Sequence, residues 1–274
     1  MKNFKNLLRG ITALIVMFAP LSVATLFSPT LVSAGVNQCS WVGAGGDNNW
    51  STDANWICSV GTEPATGYDL IFPAGNGEST NNDLSALNQY AGIWTSDQPG
   101  CSGSTYVIAG NTILLAVDIT FSHPNNCQVT LEINTSLTLM GNSTFNAYGN
   151  LSFVNGNGTL NIGAYSLDLI SNSGFIYLGS SGSQLTGSGP VNFSGDGSFW
   201  VIRSNSSFTG SYTSSGQTTI GQADSLGSGA ITLNAGGRLQ YGTQGTGLHT
   251  ITNDITVRGV ESYGASRLTL NGDS

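Results

Sequence analysis

Residues 149–163 read GNLSFVNGNGTLNIG, and this stretch sets the expectation for most of the chain. Two short runs, 151–153 and 160–162, place apolar side chains at alternate positions, as in a β-strand with one buried face. The residues between the runs are mainly glycine and asparagine, which adopt the backbone conformations that tight corners require. The stretch therefore predicts two short strands joined by a corner.

The same pattern extends along the chain from about residue 106. Short alternating runs rich in Val, Ile, Thr, Phe and Tyr are separated by Gly, Asn and Ser, and no 3.6-residue apolar stripe persists. The runs lie at 112–120, 129–133, 137–139, 151–153, 160–162, 167–169, 191–193, 231–233, 255–257 and 268–270. We therefore expect an all-β fold.

Two all-β architectures accommodate so many short strands: a solenoid of stacked coils and an antiparallel β-sandwich. The pattern at 149–160 recurs with one deletion at 189–199, a distance that suits two coils of about 20 residues each. Stacked coils hydrogen-bond to each other about 4.8 Å apart and bury equivalent apolar positions, so they need few charged residues. We favour the solenoid and keep the antiparallel β-sandwich as the alternative.

The composition agrees with this choice and restricts the partners. The chain has 274 residues, of which 38 are glycine and only 8 % are charged, against roughly a quarter in an ordinary globular domain. Without the segment 1–34 it retains four arginines, no lysine and all 15 acidic residues, a formal charge of −11. We expect no nucleic-acid partner, because phosphate recognition needs clustered Lys and Arg.

The N-terminus has the parts of a secretory signal peptide. Lys2, Lys5 and Arg9 precede an apolar stretch at 11–27, and small residues follow up to Ala34. This order predicts a signal peptide over 1–34 with cleavage after Ala34, and an extracellular or cell-surface location. No second apolar run of about 18 residues occurs, so we expect no membrane insertion by the remaining chain.

The four cysteines agree with export. In an exported chain we expect disulfides, and three connectivities are possible. We favour Cys39–Cys58 and Cys101–Cys127, because each closes a short local loop. Zinc binding would need other spacings and histidine partners, and we expect no metal or other cofactor.

Region 35–100 differs from the rest of the mature chain. It holds four of the five tryptophans and most of the prolines of that chain. We expect a capping region over 35–100, in which Trp41, Trp50 and Trp56 cover the open end of the first coil, and a β-helix over 101–274.

The segment 205–239 carries a pattern of glycines and apolar residues: Gly210, Gly216, Leu226, Gly227, Gly229, Ile231, Leu233, Gly236, Gly237 and Leu239. This pattern resembles the passenger-associated transport repeat, which occurs in the β-helical passenger domains of bacterial autotransporters. The segments 41–56 and 64–72 resemble the opening of many such passengers. The resemblance implies a right-handed parallel β-helix displayed at or beyond the cell surface.

Two features depart from that family. The chain has four cysteines, which passengers tend to avoid, and 268–274 lacks the amphipathic strands of an autotransporter barrel. We therefore expect that the β-helix is truncated and continues into a further C-terminal region.

Carboxylates at coil-like spacing are the candidate catalytic residues. Asp168, Asp196, Asp224 and Asp254 recur at nearly even intervals, and Arg203, Arg238 and Arg258 accompany them. Enzymes that cut polysaccharides use grouped carboxylates on one outer face. Turn aspartates that bond their own backbone explain the same pattern, and we favour this explanation.

These observations predict a non-enzymatic, adhesin-like surface protein. Its long polar surface would contact glycans or proteins of a host or neighbouring cell. The first alternative is a carbohydrate-active β-helix enzyme, a lyase or a hydrolase. The second is a structural spacer of a larger surface protein.

Overall fold

Short parallel strands, stacked coil upon coil, form almost all of the structure. A computed structural model of the chain describes residues 37–73, 79–96, 105–121, 129–153, 158–179, 184–202, 205, 207–242, 250–258 and 267–269. The predicted signal peptide with its cleavage site at Ala34, the pair Cys101–Cys127 and Arg203 lie outside these residues. The described residues contain one three-residue 3-10 helix, Asp53–Asn55, and β-strands.

The strands, in chain order, are β1 (Gln38–Trp41), β2 (Trp56–Cys58), β3 (Asp69–Pro73), β4 (Ser79–Asn82), β5 (Gln89–Ser96), β6 (Thr105–Gly110), β7 (Ile113–Phe121), β8 (Thr130–Ile133), β9 (Leu137–Leu139), β10 (Ser143–Ala147), β11 (Asn150–Phe153), β12 (Thr159–Asn161), β13 (Leu167–Ser171), β14 (Phe175–Leu178), β15 (Gln184–Thr186), β16 (Val191–Ser194), β17 (Ser198–Val201), β18 (Tyr212–Ser214), β19 (Gln217–Ile220), β20 (Ile231–Leu233), β21 (Arg238–Tyr241), β22 (Ile255–Val257) and β23 (Arg267–Thr269).

These strands form three parallel stacks around the coil. Stack 1 runs β1-β3-β5-β7-β10-β13-β16-β18-β20-β22, and stack 2 runs β4-β6-β8-β11-β14-β17-β19-β21-β23. Stack 3 comprises the first residues of β5 and β7, then β9, β12 and β15, and a bridge from Gly187 to Phe208 extends it. Each complete coil passes from stack 1 to stack 2 to stack 3.

Alternation along each strand builds the core. In β10 and β13 every second residue is buried, and in-register pairing places Phe145, Leu169 and Phe193 next to one another inside stack 1. Stack 2 contributes the row Leu151, Ile176 and Phe199, which is likewise buried. These rows face a common interior, so the core is continuous along the coil axis.

The solenoid prediction is confirmed: the fold is all-β and its coil-to-coil pairing is parallel, unlike that of an antiparallel β-sandwich. The interpretation of the recurring segment as two coils of about 20 residues each is wrong. Leu151 lies in stack 2 and pairs with Ile176, whereas Val191 lies in stack 1 and pairs with Leu167. The two matching segments therefore occupy different sides of the coil. They match in sequence because strands on every side of the coil share one alternating pattern.

Coil length varies along the chain because the turns differ in length. A hydrogen bond joins stacked residues 26 positions apart, from Thr144 to Asp118. The bond from Asn192 to Asp168 spans 24 positions, and the bond from Gln240 to Thr219 spans 21. A fixed repeat length is unnecessary, since only the strands have to keep register.

The N-terminal end is closed by an antiparallel hairpin. β2 folds back on β1 and opposes Cys39 to Cys58 and Trp41 to Trp56. A disulfide joins the two cysteines, which confirms that predicted pair. β3 and β5, although within the expected capping region, are already parallel members of stack 1.

The tryptophans of the hairpin form the first layer of the core. Trp41, Trp50 and Trp56 are all at most 5 % exposed. The ring of Trp50 lies 5.6 Å from that of Trp56 and 5.7 Å from that of Tyr90, both edge-to-face. Since aromatic pairs in this geometry are favourable, the cluster both covers and adheres to the first coils.

A buried asparagine holds the loop of the cap. Asn55 is fully buried, and its amide nitrogen donates to the backbone oxygens of Asp47 and Asn49 while its oxygen accepts from the N–H of Gly45. The hydrogen bond from the Asn49 backbone N–H, followed by that from the Thr52 hydroxyl, lowers the pKa of Asp47. The loop is therefore an aspartate-anchored turn with its polar groups satisfied internally.

Another buried asparagine replaces strand pairing where stack 3 lacks a strand. Asn205 Oδ1 accepts from the backbone N–H of Leu185 at 2.6 Å, and Asn205 Nδ2 donates to the backbone oxygen of Ser225 at 2.5 Å. The side chain thus links the coil before it to the coil after it, as two ladder hydrogen bonds would. Burial without such partners would be costly.

Several residues of the 205–239 pattern have definite roles in packing. Leu226, Ile231, Leu233 and Leu239 are buried in the core. Gly227 has a φ of +68°, a conformation that residues with a Cβ rarely adopt. These positions explain why the pattern alternates apolar residues with glycine.

Two buried tyrosine hydroxyls make stability sensitive to alkaline pH. Burial raises the pKa of Tyr90 to about 12. Burial also raises the pKa of Tyr212 well above its ordinary value, although its hydroxyl shares a hydrogen bond with Thr218. In the unfolded chain a tyrosine loses its proton near pH 10. Above that pH the folded state therefore retains protons that the unfolded state has released.

We expect these two groups to leave the free energy of unfolding unchanged below pH 10 and to lower it as the pH rises through about 12. The decrease is up to about 1.4 kcal/mol per pH unit for each group. Tyr212→Phe should reduce this slope, which denaturant unfolding at a series of pH values measures. Phe199→Leu is the control, because it should lower stability at every pH without changing the slope. An undiminished slope in Tyr212→Phe would contradict the burial of that hydroxyl.

Candidate functional site

Three aromatic side chains face outward on adjacent strands of stack 2. Phe175 is 39 % exposed, Trp200 is 38 % exposed and Tyr177 is half-buried. Tyr177 on β14 is the register partner of Trp200 on β17, so their backbones are about 4.8 Å apart. We call Phe175, Tyr177 and Trp200 the aromatic strip.

The core determines that these residues face outward. In β14 the apolar residues form an uninterrupted run from Phe175 to Leu178, and either alternate pair could occupy the interior. Ile176 stacks on Leu151 and on Phe199, and all three are buried. Because alternate residues point to opposite faces, Phe175 and Tyr177 must lie outside.

Polar residues continue the two rows in which the aromatic strip lies. The row of Tyr177 and Trp200 extends to Ser152 and Glu132 on one side and to Thr219 and Gln240 on the other. Gln240 Nε2 donates to Thr219 Oγ1 at 2.9 Å, so this amide is held along the row. Ser152 and Thr219 are buried, so the partly exposed polar groups of this row are the carboxylate of Glu132 at one end and the amide of Gln240 at the other.

One more exposed aromatic residue lies beside this surface. Tyr148, 40 % exposed, occupies the turn between β10 and β11. Its backbone oxygen accepts a hydrogen bond from the Ser173 hydroxyl of the next coil. This hydrogen bond connects the turn that contains Tyr148 to the turn that precedes Phe175.

An apolar strip with polar ends is suited to ligands with both kinds of surface. Single exposed aromatics are ordinary, but neighbouring ones on a rigid scaffold mark interaction sites. Aromatic rings offer a large, flat contact area with few side-chain torsions to order. The half-buried hydroxyl of Ser198 and the half-buried amide of Gln240 near them supply directional hydrogen bonds. A sugar ring, with an apolar C–H face and a rim of hydroxyls, has this combination.

The four sequence-predicted aspartates lie at different places around the coil. Asp168 faces outward in stack 1, where its carboxylate accepts from Asn192 Nδ2 at 2.8 Å. Asp196 lies in the turn between β16 and β17, Asp224 in the turn after β19, and Asp254 directly before β22. Their spacing in the sequence does not equal the coil length at these positions, so stacking does not align them.

Two of the predicted arginines, Arg238 and Arg258, are likewise separated. Arg238 is exposed at the start of β21 in stack 2, whereas Arg258 directly follows β22 of stack 1. Within the described ranges, no group of three or more His, Cys, Asp and Glu side chains is placed to hold a metal ion.

Comparison with known proteins identifies no relative. No protein-family model, curated protein or solved structure matches this chain significantly. Among the described residues, no helix is long and apolar enough to cross a membrane. The features available for inferring its function are therefore the β-solenoid and the outward-facing aromatic strip.

Proposed function

We propose that this chain is an exported, adhesin-like surface protein that binds glycans, without catalysing a reaction, through the outer face of stack 2. The observation that carries the proposal is the aromatic strip, because three outward aromatics adjoin one another on a rigid parallel sheet. The disulfide Cys39–Cys58 supports export, since such bonds persist in oxidising compartments.

The size of the strip favours a glycan over a folded protein. A stable protein interface buries at least about 1,200 Å² in total and centres on an apolar core. The strip spans two coils, and its register neighbours are Ser152 and Thr219, which are buried, and Ser198, which is half-buried. A narrow aromatic area of this size matches the width of a single saccharide chain.

The placement of the aspartates supports a binding role over the enzymatic alternative. Glycoside hydrolysis uses two carboxyl groups about 5–10 Å apart on opposite sides of the scissile bond. Asp168 lies in stack 1 and Asp254 directly precedes strand β22 of that stack, while Asp196 and Asp224 lie in turns. A spacer role would leave the exposure of the aromatic strip unexplained.

We expect Trp200→Ala and Tyr177→Ala each to weaken glycan binding by about tenfold, and the double variant to abolish it, because aromatic anchors dominate such contacts. The measurement is titration calorimetry with soluble oligosaccharides selected by screening the purified protein on a neutral glycan array. Far-UV circular dichroism and thermal unfolding should stay close to those of the parent, since both side chains face outward.

Trp94→Ala is the matched control, because Trp94 is a partly exposed tryptophan on the outer side of stack 1. It should bind as the parent does. Absence of any array binding, or equal loss in the Trp94 and Trp200 variants, would overturn the assignment of glycan binding to stack 2.

A further inference from the structure

The outer face of stack 2 has a charge distribution unlike that of the whole chain. Of the 15 acidic residues in the sequence, none lies in a stack 2 strand from β11 onward. The same strands contain Arg238 and Arg267, two of the four arginines that follow Ala34. Among the described strands, those of stack 2 alone combine outward aromatic residues with arginines.

The two arginines are register partners. Arg238 of β21 pairs with Arg267 of β23 across the coil boundary. Arg238 is exposed, and none of the described acidic side chains forms an ion pair with it. The guanidinium group of Arg238 is therefore available to an anionic ligand.

Phe175 of the aromatic strip and Arg238 lie in one row along the coil axis, and Tyr177 and Trp200 lie in the parallel row two residues further along the strands. The row that begins at Phe175 passes through Ser198 and Gln217 and reaches Arg238 after three coil steps. At about 4.8 Å per step this is on the order of 14 Å. A short linear oligosaccharide laid along the axis would contact both ends at once.

We infer that the ligand of this face is an anionic glycan, with one sugar ring on Tyr177 and Trp200 and a carboxylate or sulfate beside Arg238. The inference rests on the proposed glycan-binding function and adds the charge of the ligand. The guanidinium group presents several N–H donors to an oxyanion. The stack 2 strands from β11 onward carry no carboxylate that would repel the ligand, and Glu132 of β8 lies two coil steps from Tyr177 on the side away from Arg238.

The test compares charged and neutral forms of one backbone. The intact chain is titrated with oligogalacturonides and with their fully methyl-esterified forms, and with dextran sulfate and unmodified dextran. We expect the charged member of at least one pair to bind about tenfold more tightly at low salt, and the difference to shrink at high salt. The two pairs distinguish carboxylate from sulfate recognition.

Arg238→Gln should weaken binding of the charged probe about three- to fivefold and leave neutral-glycan binding unchanged. Arg258→Gln is the matched control on stack 1 and should change neither. Equal affinity for charged and neutral probes, or equal effects of the two arginine variants, would overturn the anionic preference. If neutral glycans still bind and still require Trp200, the proposed function survives that failure; if no glycan binds, the proposed function fails.

Discussion

Gly210→Ala should lower the free energy of unfolding by about 3 kcal/mol or more, although it adds a single methyl group. A Cβ at this position would lie 1.9 Å from the backbone oxygen of Gly189 and 2.7 Å from the ring of Phe208. The first obstacle is main chain of the adjacent coil, which cannot rotate away as a side chain can. Urea unfolding followed by circular dichroism measures the loss.

The strain extends through a row of stacked glycines. A Cβ at Gly229 would in turn lie 1.9 Å from the backbone oxygen of Gly210, so relief at one coil would compress the next. Gly46→Ala is the matched control, because its added methyl group would meet nothing within 4 Å. Its φ of +79° should cost about 1 kcal/mol. Equal losses in the two variants would show that the coils are not in close contact at Gly210.

Trp50→Ala should destabilise the protein by about 3–5 kcal/mol, which is the range for large aromatic residues in cores. Trp50 is fully buried, and its ring contacts those of Trp56, Tyr90 and Phe72. Its backbone N–H donates to the oxygen of Asn81 at 3.0 Å, so it also anchors the cap to stack 2. The cavity would open at the junction between the cap and the first coils.

Hydrogen exchange distinguishes this local effect from a global one. In the Trp50→Ala variant we expect backbone amide exchange to accelerate more in β1, β2 and β3 than in β13 and β16, relative to the parent. The reason is that each coil contacts only its neighbours. Trp200→Ala, which removes an outward tryptophan, should cost less than about 1 kcal/mol. If both tryptophan variants unfolded at the same urea concentration, Trp50 would not be the centre of the cap.

The sequence predicts the cap because the residues that form it are close together in the chain. Cys39 and Cys58 are close in sequence and flank tryptophans, and the structure joins them. The aromatic strip was not accessible in this way. In Phe175–Leu178 every residue is apolar, so the pattern does not reveal which alternate pair is buried.

The register between stacked strands determines which residues of β14 are buried, which the sequence pattern does not. Ile176 is inside because Leu151 and Phe199, on the coils before and after it, are inside. The spacing of Asp168 and Asp196 predicts alignment only for a fixed coil length, and the coils of the described residues differ in length. Turns of different length carry successive aspartates to different sides of the coil.

The chain by itself determined the fold class, the two-residue alternation of the strands and the closure of the N-terminal end. Each of these follows from neighbouring residues: the two-residue period, the glycines and asparagines at corners, and the short loop between two cysteines. Only the tertiary structure decided which residues share a face, because stacking pairs residues that are distant in sequence, such as Gln38 with Asp69. The aromatic strip and the row that leads from Phe175 to Arg238 are such long-range pairings, and they depend on the packing of every coil between them.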